Sequence, residues 1–257
     1  MQRLKHENIE WLEFELLADI PSIRHAIFLR HGGYSEGPYK SLNVAFSVGD
    51  DPLIVQKNRS LIERHLERTV PEWGQMVQAR GCHGKEVALV DSQSPKDILH
   101  RDGLISSTPG ISLMMTYADC QIALFYDPIN HAIANIHSGW RGSVQNIYAE
   151  TIAQMQRSFH SNPADLLVCI SPSLGPDEAE FIYYSNELPE EFWSFQIRPT
   201  YFDFWSISEY QLQAAGILPH HIEVARLSTY SNPHDFFSYR RDKITGRHAA
   251  CITLLKN

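Results

Sequence analysis

Three short segments place a metal-competent side chain beside backbone that must turn sharply: Gly81-Cys82-His83-Gly84-Lys85-Glu86-Val87, Tyr117-Ala118-Asp119-Cys120, and His137-Ser138-Gly139-Trp140-Arg141-Gly142. One cysteine and two histidines from three strand ends suit a zinc site with three protein ligands and a free fourth position. A catalytic zinc uses that position for a water whose pKa falls to near 7. The residues alone also fit a plainer account. Cysteine is among the most buried residue types, and a histidine before glycine is commonly a turn residue. Asp119, adjacent to Cys120, is a candidate proton carrier, although a strand-end aspartate more often orients a ligand or caps a turn.

The elements that must position these residues follow from periodicity. Ala26–Leu29, Ile111–Tyr117, Gln121–Tyr126, Ala132–Ile136 and Leu166–Ile170 are short apolar runs bounded by turn residues, and read as strands. Strands resume at Ile222–Leu227, Phe236–Arg240 and His248–Leu254, the last two expected to be joined by an Asp-Lys-Ile-Thr-Gly turn. Asp51-Pro52 supplies an N-cap and a first-turn proline for a helix to about Glu67. Val144, Ile147, Tyr148, Ile152, Met155 and Phe159 share one helical face over Ser143–Phe159. A further helix runs from about Ser206 to Ala215 and stops at Gly216. Strands outnumber helices without strict alternation, which predicts an α+β fold.

Composition narrows the class. The chain has 257 residues, 43% hydrophobic, with no repeat or Gly/Ser/Pro linker, so a single domain over residues 1–257 is expected. That length buries a sizeable core without metal or disulfide staples, so a metal here would serve chemistry. With 22 basic against 30 acidic residues the net charge is −8, which argues against nucleic acid or an anionic membrane as partner. The charged opening segment is unlike a signal peptide, and the longest apolar stretch, Ile111–Tyr126, contains Asp119 and is too short to span a bilayer. Four cysteines without a Cys-x-x-Cys pair read as reduced thiols of a cytoplasmic protein.

Ordered motifs extend this reading. His137-Ser-Gly-Trp-Arg-Gly142 resembles the His-Ala-Gly-Trp-Arg-Gly signature of the YfiH/YlmD family, also called the laccase-domain or peptidoglycan-editing-factor family. Arg30-x-Gly-Gly33, Gly37-Pro-Tyr-x-Ser-Leu-Asn43, Val48-Gly-Asp-Asp51 and Asn58-Arg59 resemble its N-terminal blocks. His83-Gly84, Asp102-Gly103 and Ala118-Asp-Cys120 resemble the central ones. Asp203 through Gln211-Leu212, and Phe236-Phe-Ser-Tyr-Arg-Arg-Asp242 with Thr245-Gly-Arg247, resemble the C-terminal ones.

The resemblance implies a mixed β-sandwich core flanked by helices, and a zinc site of His83, Cys120 and His137 in a purine nucleoside pocket. It also implies phosphorolysis of adenosine, inosine or guanosine and methylthioadenosine, together with adenosine deamination. Phosphorolysis needs an anion site. Arg141, at the opening of the Ser143 helix, is one candidate, with Arg30, Arg59 and Arg240 as others and Asn43 as a further substrate-binding residue. For deamination the proton carrier would be Asp119.

Copper is the less favoured metal. Thirteen histidines are present, yet none forms a His-x-His pair, and one Cys with two His holds one ion rather than a four-copper array. Polyphenol oxidation is accordingly an alternative of low weight. A second alternative keeps the residues but makes Cys120 a thiolate nucleophile, activated by His137 or His83, in an amidase acting on cell-wall precursors. A third is a non-enzymatic closed metal site, for which Cys82 is the nearest fourth ligand. Three departures bear on substrate preference: Gly81 where the family commonly has Gln, the extra Cys82, and Ser228-Thr229 where it often has Cys-Thr.

Overall fold

A computed structural model describes residues 1–70 and 73–256. Its strands, in chain order, are β1 (Gln2–His6), β2 (Ile9–Glu13), β3 (Ile23–Phe28), β4 (Gln75–Arg80), β5 (Val87–Leu89), β6 (Asp97–Leu99), β7 (Gly103–Ser106), β8 (Ile111–Tyr117), β9 (Gln121–Asp127), β10 (Ala132–Ser138), β11 (Leu167–Ile170), β12 (Gln196–Arg198), β13 (Tyr201–Phe202), β14 (Ile222–Val224) and β15 (His248–Leu254). They form two large mixed sheets, in the orders β1-β2-β3-β15-β8-β4-β6 and β14-β11-β9-β10-β7-β5, plus the β12-β13 ribbon.

The sheets pack face to face, and each buries its outer face against a helix. Leu113, Tyr117, Ile122, Leu124, Ile133 and Ile252 meet between the sheets. Ile62 and Leu66 of the Pro52–Thr69 helix cover the first sheet at Phe28, Met76 and Met114. Ile147, Ile152 and Met155 of the Ile147–Phe159 helix cover the second at Phe125, Ala134 and Ile136. Central strands therefore lie between two apolar layers, and β9 and β10 are buried at every position. Their sequences read as continuous apolar runs for that reason. Asn135 breaks the run with purpose: its buried amide donates to Leu113 O and Ala250 O at 2.9 Å each, tying the two sheets together.

Several boundaries differ from expectation, each for a local reason. Phe236–Arg240 is not a strand. Phe237 N donates to His248 Nε2 (2.8 Å), and Ser238 caps a short Tyr239–Asp242 turn of helix, so β15 pairs instead with β3 and β8. The Ser143–Phe159 helix is two, Trp140–Val144 and Ile147–Phe159. Asn146 adopts φ +53° between them, and its side chain accepts from Ala149 N. The expected Ile222–Leu227 strand stops at Val224, with Arg226 left-handed at φ +47° just beyond. Asp51 does cap its helix, accepting from Leu53 N at 2.8 Å.

Two buried histidines carry a pH prediction. His25 Nε2 accepts from Phe14 N (2.7 Å) and His248 Nε2 accepts from Phe237 N, so both nitrogens must be unprotonated in the fold. Burial lowers His25 to about 4 and His248 to about 3. Because the folded values lie below the unfolded one near 6.5, their stabilisation is complete above pH 6.5 and is lost as pH falls toward 3. Urea midpoints should fall between pH 7 and pH 4.5, with a loss on the order of several kcal/mol from the two together. A slope in His25→Gln as steep as in the wild type would contradict the assignment.

Candidate active site

The site forms at one end of the sandwich, where three connections converge. β4 ends at Arg80, and the loop after it carries His83 in the left-handed region at φ +62°. The link from β8 to β9 crosses from one sheet to the other and carries Cys120, immediately after Asp119 at φ +76°. An aspartate tolerates that conformation better than most non-glycine residues. His137 is the penultimate residue of β10. The register of β10 against β7 pairs Ile136 with Gly103, which sets His137 opposite Asp102; His137 N donates to Asp102 O at 2.7 Å.

His83, Cys120 and His137 come together, their ligand atoms all within 4.8 Å of one another. Gly139 allows the approach: a β-carbon there would lie 2.9 Å from His83 Cδ2 and 3.3 Å from Cys120 Sγ.

Asp102, fully buried, organises the set. Its Oδ1 bonds His137 Nδ1 (2.9 Å) and accepts from His83 N (3.0 Å), while Oδ2 accepts from Cys82 N (2.9 Å) and Gly84 N (2.8 Å). Burial works against this carboxylate's charge, but the bonds from His137, Cys82 and Gly84 outweigh it and hold the group well below the usual carboxylate range. Gly81 has a steric basis here, because a β-carbon at that position would run into Asp102 Oδ1. Burial likewise raises the Cys120 thiol, and the charge of His137, with hydrogen bonds from both histidines, reverses the sign and favours thiolate. The same attraction, with Asp102, favours imidazolium at His137.

These features suit a single metal ion. The donor set is soft and basic enough for zinc or another borderline ion, and a carboxylate fixes one ligating imidazole through its other nitrogen. Cys82 stands apart: its Sγ lies 3.5 Å from Asp102 Oδ2 and the residue is exposed.

His83, Cys120 and Tyr239 line two cavities of about 570 and 450 Å³, and His137 lines the larger of them. The larger is lined by Arg59, Arg80 and Arg247 and by no carboxylate. Arg59 is stacked 4.3 Å from the Phe46 ring and donates to Val44 O (2.7 Å). Arg247 donates from Nη1 to Thr245 O and Gly246 O. Among the described residues neither has a carboxylate in ion-pair range, and burial lowers both, Arg59 to about 10. The smaller cavity is lined by Trp140, Phe181 and Phe204, with Arg141, Arg240, Lys243 and Asp119 also on its wall. Phe181 meets Trp140 edge-on (5.9 Å) and Phe204 at 5.2 Å.

The remaining sequence candidates divide. Arg141 and Arg240 reach the smaller cavity, Arg240 also donating to Glu178 O (2.6 Å). Arg141 belongs to a five-residue helix rather than to the opening of a long one, so little macrodipole backs it. Asp119 lines the same cavity, but its Oδ1 accepts from Thr229 Oγ1 and its Oδ2 from Arg240 N, both at 2.6 Å. The carboxylate thus fastens the C-terminal segment to the Cys120 turn. Arg30 and Asn43 line neither cavity. Arg30 donates to Lys40 O and Pro233 O, and Asn43, fully buried, bonds Ala45, Asp50 and Arg247 N. Sequence reasoning gave no role to Asp102, Arg80, Arg247 or Tyr239. Asp102-Gly103, Tyr239 and Arg247 stood in quoted motifs, and that was their only signal.

Comparison with known proteins agrees with this architecture. The chain matches the family described as multi-copper polyphenol oxidoreductase laccase over residues 24–255. It is 32% identical over 244 residues to a protein of Bacteroides thetaiotaomicron named purine nucleoside phosphorylase, covering 90% of each chain. It is also 32% identical over 235 residues to the Escherichia coli purine nucleoside phosphorylase YfiH, covering 88% of this chain and 91% of that one. The crystal structure of YlmD from Geobacillus stearothermophilus superposes with a TM-score of 0.86 at 27% identity, over 98% of both chains. No helix among the described residues is long and apolar enough to cross a membrane. Fold, motifs and relatives agree that the chain belongs to this laccase-domain family, together with the proteins named YfiH and YlmD.

Proposed function

We propose that the protein is a zinc-dependent purine nucleoside phosphorylase acting on adenosine, inosine or guanosine and methylthioadenosine, with adenosine deamination as a second activity. The observation that carries phosphorolysis is the pair of cavities meeting at His83 and Cys120, with His137 on the wall of the larger. Three guanidinium groups and no carboxylate line one, and the rings of Trp140, Phe181, Phe204 and Tyr239 line the other. Relatives named purine nucleoside phosphorylase support the reaction class.

His83, Cys120 and His137 would hold the zinc. When bound, the metal supplies Lewis-acid polarisation of substrate oxygen. The chain's own groups do the rest. Arg59 and Arg247 lack a carboxylate partner, so an incoming phosphate dianion relieves the cost of burying them and is held by charge-assisted bonds. Trp140, Phe181 and Phe204 offer faces and edges to a purine ring and exclude water around it. Phosphate and ribose then meet at the junction, where an oxygen of the hydrogen phosphate dianion bonds the anomeric carbon, the glycosidic bond breaks, and the departing base takes up the proton that the phosphate gives up. Tyr239, on the wall of both cavities, is placed to contact the sugar between them. Holding two reactants in one site supplies much of the acceleration by itself.

Separate variants test the division of labour. Arg247→Gln should raise the KM for phosphate about tenfold or more while leaving the KM for nucleoside within about twofold, since a charge-assisted contact is removed from one side only. Phe181→Ala should do the reverse. Equal changes in both constants for both variants would refute the assignment of the cavities.

A second reading has its own support. The thiolate–imidazolium character of Cys120 and His137 also suits a cysteine nucleophile in an amidase. Chelation separates the two, because it abolishes the first chemistry and leaves the second intact.

A further inference from the structure

A second convergence of ligand-type side chains joins the loop after β3 to the C-terminal segment. His31, in the loop after β3, and His234 and Asp235, in the loop before Phe236, bring their ligand atoms within 4.8 Å of one another. His31 Nε2 and His234 Nδ1 both lie 2.9 Å from the same oxygen, Asp235 Oδ1. The two rings are 4.8 Å apart and inclined at 46°. His234 is largely exposed at 82%, while His31 and Asp235 are about a quarter exposed at 23% and 24%, so the cluster opens to solvent on the His234 side only.

We propose that His31, His234 and Asp235 form a second metal site, for a divalent first-row transition ion, distinct from the site at Cys120. Each histidine nitrogen, 2.9 Å from Asp235 Oδ1, would subtend with that oxygen roughly 90° at an ion about 2.1 Å from both, the angle between neighbouring positions of an octahedron. Two imidazoles and one carboxylate on one side of an ion leave the remaining positions to water, which the exposed side of the cluster provides. The nitrogen-oxygen donor set selects a borderline ion over magnesium or calcium, whose preferred ligands are all oxygen.

The surroundings support a held carboxylate. Arg3 Nη1 donates to Asp235 Oδ2 (2.9 Å) and fixes its plane, as a ligating carboxylate is commonly fixed by its second oxygen. Arg3 Nη2 also reaches Oδ1 (3.0 Å), the oxygen the ion would take, and donates to Glu10 Oε2 as well. Lys5 reaches the other oxygen of Glu10 (3.1 Å). Glu10 therefore neutralises part of the positive charge beside the site, and Arg3 moves onto Glu10 when the ion enters.

The site joins two segments that are more than 200 residues apart. It sits beside Arg30, which holds the same C-terminal loop through Pro233 O. That loop leads to Tyr239 and Arg240 on the cavity walls. Occupancy clips the loop to the end of β3 and stiffens the approach to the catalytic cavities without touching substrate.

Cobalt(II) titrated into the metal-loaded protein provides the test, read by equilibrium dialysis and by absorption. The wild type should bind one further cobalt per chain with no thiolate-to-cobalt charge-transfer band, because no sulfur lies in this site. His234→Ala and His31→Asn should each weaken that binding at least about tenfold, with nucleoside turnover in the absence of cobalt unchanged in His234→Ala. Failure to take up the additional cobalt, or equal uptake by His234→Ala and the wild type, would overturn the proposal. A thiolate band would report exchange at Cys120 instead. Binding of cobalt only with that band would also overturn it, and that result bears on the first site separately.

Discussion

Cys120→Ala should purify with close to no zinc and with nucleoside phosphorolysis reduced by about a thousandfold or more. The thiolate is the single anionic donor of the three residues, and it lies at the crossing between the two sheets. Removing the metal forfeits several kcal/mol of charge stabilisation in the transition state, and each 1.36 kcal/mol is a tenfold loss in rate. The fold should survive, since the side chain is only part-buried and the sandwich core does not include it. Metal analysis beside steady-state kinetics and a thermal melt checks all three points. Full activity in a metal-free Cys120→Ala protein would contradict both the zinc reading and the cysteine-nucleophile reading.

Asp102→Asn should be the next most damaging change, and should act on affinity and stability together. Asp102 fixes the Nδ1 side of His137, leaving the other ring nitrogen for the metal, and collects the backbone N–H groups of Cys82, His83 and Gly84. An amide in its place turns an N–H toward donors that expect an acceptor. Loss of a carboxylate behind a metal-ligating histidine typically weakens the metal by about 10–100-fold. The buried mismatch should also cost about 2–4 kcal/mol of folding stability. Competitive chelator titration measures the first and urea unfolding the second. Wild-type zinc affinity in Asp102→Asn would show that the carboxylate serves the loop alone.

How far the sequence disclosed these residues depends on the kind of signal each carries. His83, Cys120 and His137 were visible because glycine-rich turns flank two of them and strands flank the third. Their convergence then follows from β4, β8 and β10 ending on the same side of the sandwich. β8, β10 and β15 were legible because burial on both faces makes them largely apolar runs. β1, at the sheet edge, and β2 beside it escaped notice because charged residues interleave with their apolar ones, and β5 and β6 are three residues each, too short for a period to register.

Asp102 looks like any loop aspartate in the sequence. Only the β7–β10 register, fixed by pairing across the sheet, brings it to His137. Arginines are the hardest case, since a guanidinium gives no local clue to what it faces. Arg30 turned out to bind backbone carbonyls, whereas Arg247 faces the larger cavity.

The description of the family as multi-copper finds no match at the site. His83, Cys120 and His137 can hold one ion, and the His31 cluster is the one other group of three metal-competent side chains found among the described residues. Neither cluster is a four-copper array.

The most direct test of the account is inosine cleavage by the metal-loaded protein with and without inorganic phosphate, before and after chelation. The account predicts hypoxanthine and ribose 1-phosphate in equal amounts, formed only when phosphate is present and abolished by the chelator. Release of hypoxanthine at the same rate without phosphate, or a rate unaffected by metal removal, would contradict it.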